Sequence, residues 1–272
     1  MRSHAPSLGV AFAILLLCVC DGPAAADGHE GPHASAPTVT VLTKGYVTPI
    51  EGKAFVPGQE PDGARRVAGT VVLVQSPEAT IVADPGMVAD RALILEPLAA
   101  AGVAPEDVTH VFISHHHPDH TVNIALFPNA KVIDFHGIYH NDVWEDHPAE
   151  YQLTPHITVW HTPGHTDEDA TLLIRTKDGI VAYTHLWWNQ DQQPEVDPLA
   201  EDPKALIEQR RRVLAVATRI ITGHGGAFDN EPHAAHDSKH GHDHTHKHVH
   251  SEGHPRVIAG PTRRRAPARP LR

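Results

Sequence analysis

The run His115-His116-His117-Pro118-Asp119-His120 packs four imidazoles and one carboxylate into six residues. Neutral imidazoles are the commonest ligands for zinc-like ions, and a carboxylate adds an oxygen donor and a negative charge. His115 and His117 stand two apart, so in an extended segment they project to one side and can chelate a single ion. Asp119 and His120 follow a proline, where the chain must turn, and can reach a second point nearby. A lone histidine is usually structural; this density directly after an apolar strand points to metal chemistry. No thiolate can share in it, because Cys18 and Cys20 both lie in the leading apolar run.

The elements that must position this run are legible as β-branched stretches cut by Gly, Pro and Ser. Residues 38–47, 67–75 and 79–83 read as strands, and Asp84-Pro85-Gly86 breaks the third. Residues 87–101 carry apolar side chains at helical spacing, with Gly102 as the stop. Residues 108–114 form a short buried-strand pattern that runs into the histidines. Residues 157–161, 170–176 and 180–184 read as further strands, and residues 203–217 as a helix with Asp202 as its N-cap. Residues 219–222 form a last strand that delivers Gly223-His224-Gly225-Gly226, and residues 135–155 read as a loop region. Two similar halves of strands with few helices imply an α+β fold, sheet packed on sheet with helices outside. The candidate ligands follow strands, where a rigid scaffold presents loop residues for chemistry.

The hexapeptide resembles the central His-x-His-x-Asp-His motif of the metallo-β-lactamase superfamily. Asp84 in Val82-Ala83-Asp84-Pro85-Gly86, His165 in Thr162-Pro163-Gly164-His165-Thr166 and His224 in Thr222-Gly223-His224-Gly225 match further family positions. Leu126-Phe127-Pro128-Asn129-Ala130 and the closing Gly223-to-Phe228 stretch are most similar to the group around metallo-β-lactamase domain-containing protein 1. The resemblance implies an αββα sandwich with two adjacent metal sites at one edge. His115, His117 and His165 would form one, and Asp119, His120 and His224 the other. Asp84 and His116 would stand behind the ligands, though an exposed His116 is equally open. A metal-bound hydroxide would attack an ester, thioester, lactone, amide or phosphodiester, with Asp119 guiding the attacking water. Zinc is the expected ion, as one or two per chain, with iron or manganese as alternatives.

Position 185 departs from this pattern. The family carries an aspartate there, after the strand at 180–184, whose carboxylate bridges both ions; this chain has His185. A neutral imidazole offers one lone pair, so it can bind one ion but not bridge two. It also removes a negative charge from the site. Trp187 and Trp188 follow, as core packing or as an apolar wall for a substrate. His136, His140, His147, His156 and His161 read as scattered surface histidines.

The two ends differ in composition from the body at 38–230. Arg2, an apolar run at 8–20 and Ala24-Ala25-Ala26 form the pattern of a signal peptide cleaved after Ala26, implying a secreted or periplasmic protein. Residues 27–37 read as a flexible lead-in. Residues 27–230 hold 28 acidic and 13 basic side chains, a net of −15 that repels polyanions and makes nucleic acid an unexpected partner. No later apolar segment approaches membrane-spanning length. Residues 231–254 form a His-rich tail, with nine histidines between 233 and 254, and residues 255–272 an Arg/Pro-rich tail. Neither has the apolar content to pack a core, so both are expected to be disordered. Imidazoles at alternate positions would take up additional divalent metal. The expected function is therefore hydrolysis of a small-molecule substrate; a zinc-handling protein and a phosphodiesterase or nuclease are the alternatives.

Overall fold

The β-branched runs of the chain pair into two mixed sheets whose alternate residues face different partners. A computed structural model describes residues 35–230 except Glu60, Met87, Ala89 and Gln193. Residues 1–34 and 231–272, which hold the expected signal peptide, most of the lead-in and both tails, lie outside the described residues. The first half contains β1 (Thr38–Thr43), β2 (Tyr46–Pro49), β3 (Arg65–Ala68), β4 (Val71–Gln75), β5 (Thr80–Ala83), α1 (Ala92–Ala100) and β6 (His110–Phe112). It continues through α2 (Pro118–Thr121), β7 (Lys131–Ile133), β8 (Gly137–His140) and β9 (Val143–Asp146). The second half contains β10 (Glu150–Thr154), β11 (Ile157–His161), β12 (Ala170–Thr176), β13 (Gly179–Thr184), α3 (Pro203–Leu214), β14 (Arg219–Thr222) and β15 (Ala227–Asp229). One sheet has the order β1-β4-β5-β6-β7-β8-β9, the other β10-β11-β12-β13-β14-β15, and β2 and β3 form a separate hairpin.

The period of two in β4 shows how the layers arise. Val72 and Val74 face the second sheet and pack with Leu172, Ile174 and Tyr183. Val71 and Leu73 face the other way, onto Ile94 and Leu98 of α1. The second sheet repeats this: Leu173, Ala182 and Ile220 face Leu206 and Val213 of α3. Helix, sheet, sheet, helix is the outcome, an α+β sandwich buried on both faces of its central strands. The Asp202 carboxylate caps α3, accepting from the backbone of Lys204 (2.9 Å) and Ala205 (3.0 Å).

The structure departs from the sequence reading at several places, and the run at 38–47 is divided between β1 and β2, which belong to different sheets. The run at 67–75 is two strands, because Gly69 and Thr70 leave the ladder: the Gly69 amide donates to the Asp119 carbonyl (3.0 Å) and the Thr70 amide to the Gly223 carbonyl (2.7 Å). The break thus ties two site loops to the sheet. Helix α1 starts at Ala92 rather than 87, where the Asp90 carboxylate accepts from the Ala92 amide (2.9 Å). Residues 135–155 include β8, β9 and β10 rather than loop. Strand β9 is fully exposed at the sheet's edge, so no burial alternation marks it.

Candidate metal centre

Strands β5, β6 and β7 run parallel, as do β13 and β14. The residues following β5, β6, β13 and β14 supply Asp84, the 114–120 segment, His185 and His224, and the loop between β11 and β12 supplies His165. His117 is extended (φ −64°, ψ 145°), and Pro118 opens the single turn of α2, where its fixed φ and missing N–H fit the first helical position. That turn carries Asp119 and His120 away from His115 and His117. The turn is pressed against the backbone at 86, where a Cβ would come within 2.1 Å of the Asp119 carbonyl oxygen, so only glycine fits.

Three donor groups result. His115 Nε2 lies 2.9 Å from His117 Nδ1, which lies 3.2 Å from His165 Nε2. Tetrahedral ligands held about 2.0–2.1 Å from one ion are separated by roughly 3.3 Å, so this trio is spaced as ligands are. Asp119 Oδ2 lies 3.4 Å from His120 Nε2 and 3.5 Å from His224 Nε2, forming a second trio. His115, His120 and His185 form a third, all buried, with donor atoms within 4.8 Å of one another.

Behind the donors stand groups that set each tautomer. Asp84 is wholly buried at φ 45° and accepts from His120 Nδ1 (2.6 Å), the Ser114 amide (2.7 Å), the Tyr183 hydroxyl (2.7 Å) and the Ser114 hydroxyl. With its proton given to Asp84, the Ser114 hydroxyl accepts from His115 Nδ1 (3.1 Å). Asp197 accepts from His165 Nδ1 (2.7 Å), Trp188 Nε1 (3.0 Å) and the Leu199 amide (2.8 Å). His224 Nδ1 donates to the Ala68 carbonyl (2.9 Å). In each case Nδ1 carries a proton and Nε2 is turned to the centre. Asp169 fixes the loop that carries His165, accepting from the His165 and Thr166 amides (2.7 and 3.1 Å) and the Thr166 hydroxyl (2.7 Å).

Charge follows this wiring. Burial, with the neighbouring imidazoles, holds His115 and His185 well below the ordinary histidine pKa. Burial would lower His120 too, but the Asp84 and Asp119 carboxylates outweigh it and raise the pKa to about 9. Asp119 is the reverse case: burial would raise it, while His120 and His224 hold it below the carboxylate range. Burial lifts Asp169 to about 6. A dication must displace the His120 proton, so binding there is coupled to its release.

The residues fit a divalent ion on their own geometry. His120 Nε2 and both ring nitrogens of His185 are buried with no hydrogen-bond partner, which is costly unless something else takes the lone pairs. Nitrogen lone pairs crowded together in this way become mutually favourable around a shared cation.

Residues 64–269 match the family model described as the metallo-beta-lactamase superfamily. The chain belongs to this superfamily of metal-dependent hydrolases. It is 32% identical over 205 residues to metallo-beta-lactamase domain-containing protein 1 of Xenopus laevis, covering 72% of this chain and 82% of that protein. It is also similar to an N-acyl homoserine lactonase of a Bacillus species, 29% identical over 107 residues, or 34% of this chain and 43% of that one. Among solved structures, an N-acyl homoserine lactone hydrolase with the product N-hexanoyl-L-homoserine at its catalytic metal centre superposes with a TM-score of 0.51. That match has 17% identity and covers 71% of this chain and 94% of the other.

The structure thus brings together His115, His117, Asp119, His120, His165, His185 and His224, with Asp84 behind them. Two alternatives that the sequence left open are decided. His116 does not support a ligand: alternation along the extended segment turns it outward, and its Nε2 pairs with Asp134 (3.0 Å). Trp187 is no substrate wall; it is 3% exposed and packs edge-on against Phe228 in the core beneath α3. Trp188 is at the site, its ring 6.3 Å from that of His224, and both line an open cleft of about 350 Å³ with Tyr46, Phe55 and Gln190. His136, His140, His147, His156 and His161 join none of the three trios. Asp197 and Asp169 were missed by the sequence reading: Asp197 acts across a fold-made contact that no motif marks, whereas Asp169 binds the backbone of its own loop.

Proposed function

We propose that this chain is an exported zinc hydrolase of a small ester or lactone, with thioesters and amides accessible through the same acyl chemistry. The observation that carries the reading is the convergence of seven donor side chains beside the cleft that Trp188 and His224 line. A bound divalent ion supplies Lewis acidity and lowers the pKa of water from about 15.7 towards 7. Asp119 is the one carboxylate among the donors, is ionised, and keeps 13% of its side chain accessible. It is placed to orient an attacking water. His120, His165 and His224 are held rigidly by Asp84, Asp197 and the Ala68 carbonyl, so the donors need no reorganisation during turnover. The lactone class is supported by similarity to the Bacillus lactonase, and zinc by the imidazole-rich donor set.

The test is a panel of chromogenic esters, lactones, thioesters and amides offered to zinc-, manganese- and iron-loaded protein. Hydrolysis of an ester or lactone, abolished by chelator and restored by zinc, is expected. No turnover across the panel at full metal loading would instead favour a zinc-handling protein, a reading that the nine histidines at 233–254 support through additional divalent binding. The net charge of −15 over 27–230 weighs against a nuclease, and a salt-sensitive shift of RNA on a gel would reverse that. Export rests on residues 1–26; an N-terminus at Asp27 in the secreted or periplasmic fraction is the expected result.

A further inference from the structure

His185 is the residue among those described whose two ring nitrogens are both buried without a hydrogen-bond partner. Its ring centre lies 4.3 Å from those of His115 and His165, 4.9 Å from His224 and 5.0 Å from His120, between the two outer trios. The backbone makes room for it: a Cβ at Gly223 would stand 2.3 Å from His185 Cδ2. His115 and His120 each commit Nδ1 to a partner, Ser114 and Asp84, so each has a single lone pair to give, on Nε2.

We infer that His185 creates a third metal position, shared with His115 and His120, whose occupation excludes the two outer positions; this rests on the metal-centre reading above. An imidazole nitrogen gives its lone pair to one ion. An ion held in the middle takes His115 from His117 and His165, and His120 from Asp119 and His224, leaving each outer group with two protein donors. The centre therefore loads in two ways, one ion in the middle or two outside. A bridging carboxylate at 185 would hold two ions together, whereas an imidazole there competes with the pair. The two states differ in chemistry. The middle position is lined by buried imidazoles alone, while Asp119 and the exposed His117 belong only to the outer groups. Middle loading is the closed state and outer loading the working one, so metal supply itself regulates turnover. Activity should rise with free zinc more steeply than a single-site hyperbola.

The experiment is anomalous diffraction at the zinc edge from crystals of the full-length chain, equilibrated at limiting and at saturating zinc. At limiting zinc the expected result is one peak bounded by His115, His120 and His185. At saturation it is two peaks in the outer groups, with His185 released. His185→Asn should lose the middle peak at every loading and keep the outer pair. Wild-type peaks confined to the outer groups at all loadings would overturn the third position while leaving the metal centre intact. No peak within the cluster at any loading would overturn the metal centre itself.

Discussion

The two outer donor groups are built on the same plan but anchored differently. His120 hangs from Asp84, which ends a core strand and collects four donors from three residues across both sheets. His165 hangs from Asp197, which lies in a connection between β13 and α3, on a loop that Asp169 ties down locally. One group is part of the hydrophobic core's polar seam; the other is assembled from loops at the rim, with His117 exposed beside it. The core-anchored group gains rigidity, and the rim group gains access. A carboxylate behind a ligand can thus serve chiefly the fold or chiefly the metal, depending on where it is rooted.

That contrast is open to direct attack. Asp84→Ala leaves His120 Nδ1 and the Ser114 amide buried without their acceptor, so stability should fall by about 3–5 kcal/mol, read from denaturant melts at fixed metal. A loss below about 3 kcal/mol would place Asp84 with the rim class. Asp197→Ala should cost less stability, about 1–3 kcal/mol, but weaken binding of the His165 ion roughly 10- to 100-fold, read by chelator competition. Equal losses from Asp84→Ala and Asp197→Ala in both assays would erase the distinction. His185→Asp should bring the centre closer to two ions at limiting metal, because a carboxylate between two dications offsets their repulsion. Elemental analysis after dialysis of wild type and variant checks this; equal occupancy would remove the special role given to position 185. Truncation after Asn230 should change the melting temperature least, near zero under saturating metal, because the removed segment carries little apolar surface. Its effect should appear as lost activity only when zinc is scarce.

The same contrast explains what could be read before the fold was known. Ligands at fixed local spacing, His115 to His120, announced themselves, and His165, His224 and Asp84 followed through short motifs. Tyr183 read as an ordinary strand residue, yet its hydroxyl reaches Asp84 and the Thr70 carbonyl across the two sheets. Asp197 sits 32 residues from the histidine it orients, and nothing in its neighbourhood advertises the contact. Gly69 and Thr70 looked like the middle of one apolar strand; their task of holding the 119 and 223–225 backbones exists only in three dimensions. The αββα layering was implied by resemblance, whereas the β8–β9 hairpin was hidden because an exposed edge strand shows no alternation of burial.

The most direct test of the centre is the metal content of His117→Ala alongside its hydrolytic rate. His117 is exposed and its ring meets those of His115 and His165, so its loss should leave the fold intact, within about 0.5 kcal/mol. The expected result is a folded protein short of one ion relative to wild type after equilibration at saturating zinc, with ester or lactone hydrolysis lost with that ion. An unchanged ion count together with an unchanged rate would contradict the assignment of this cluster as the working metal centre.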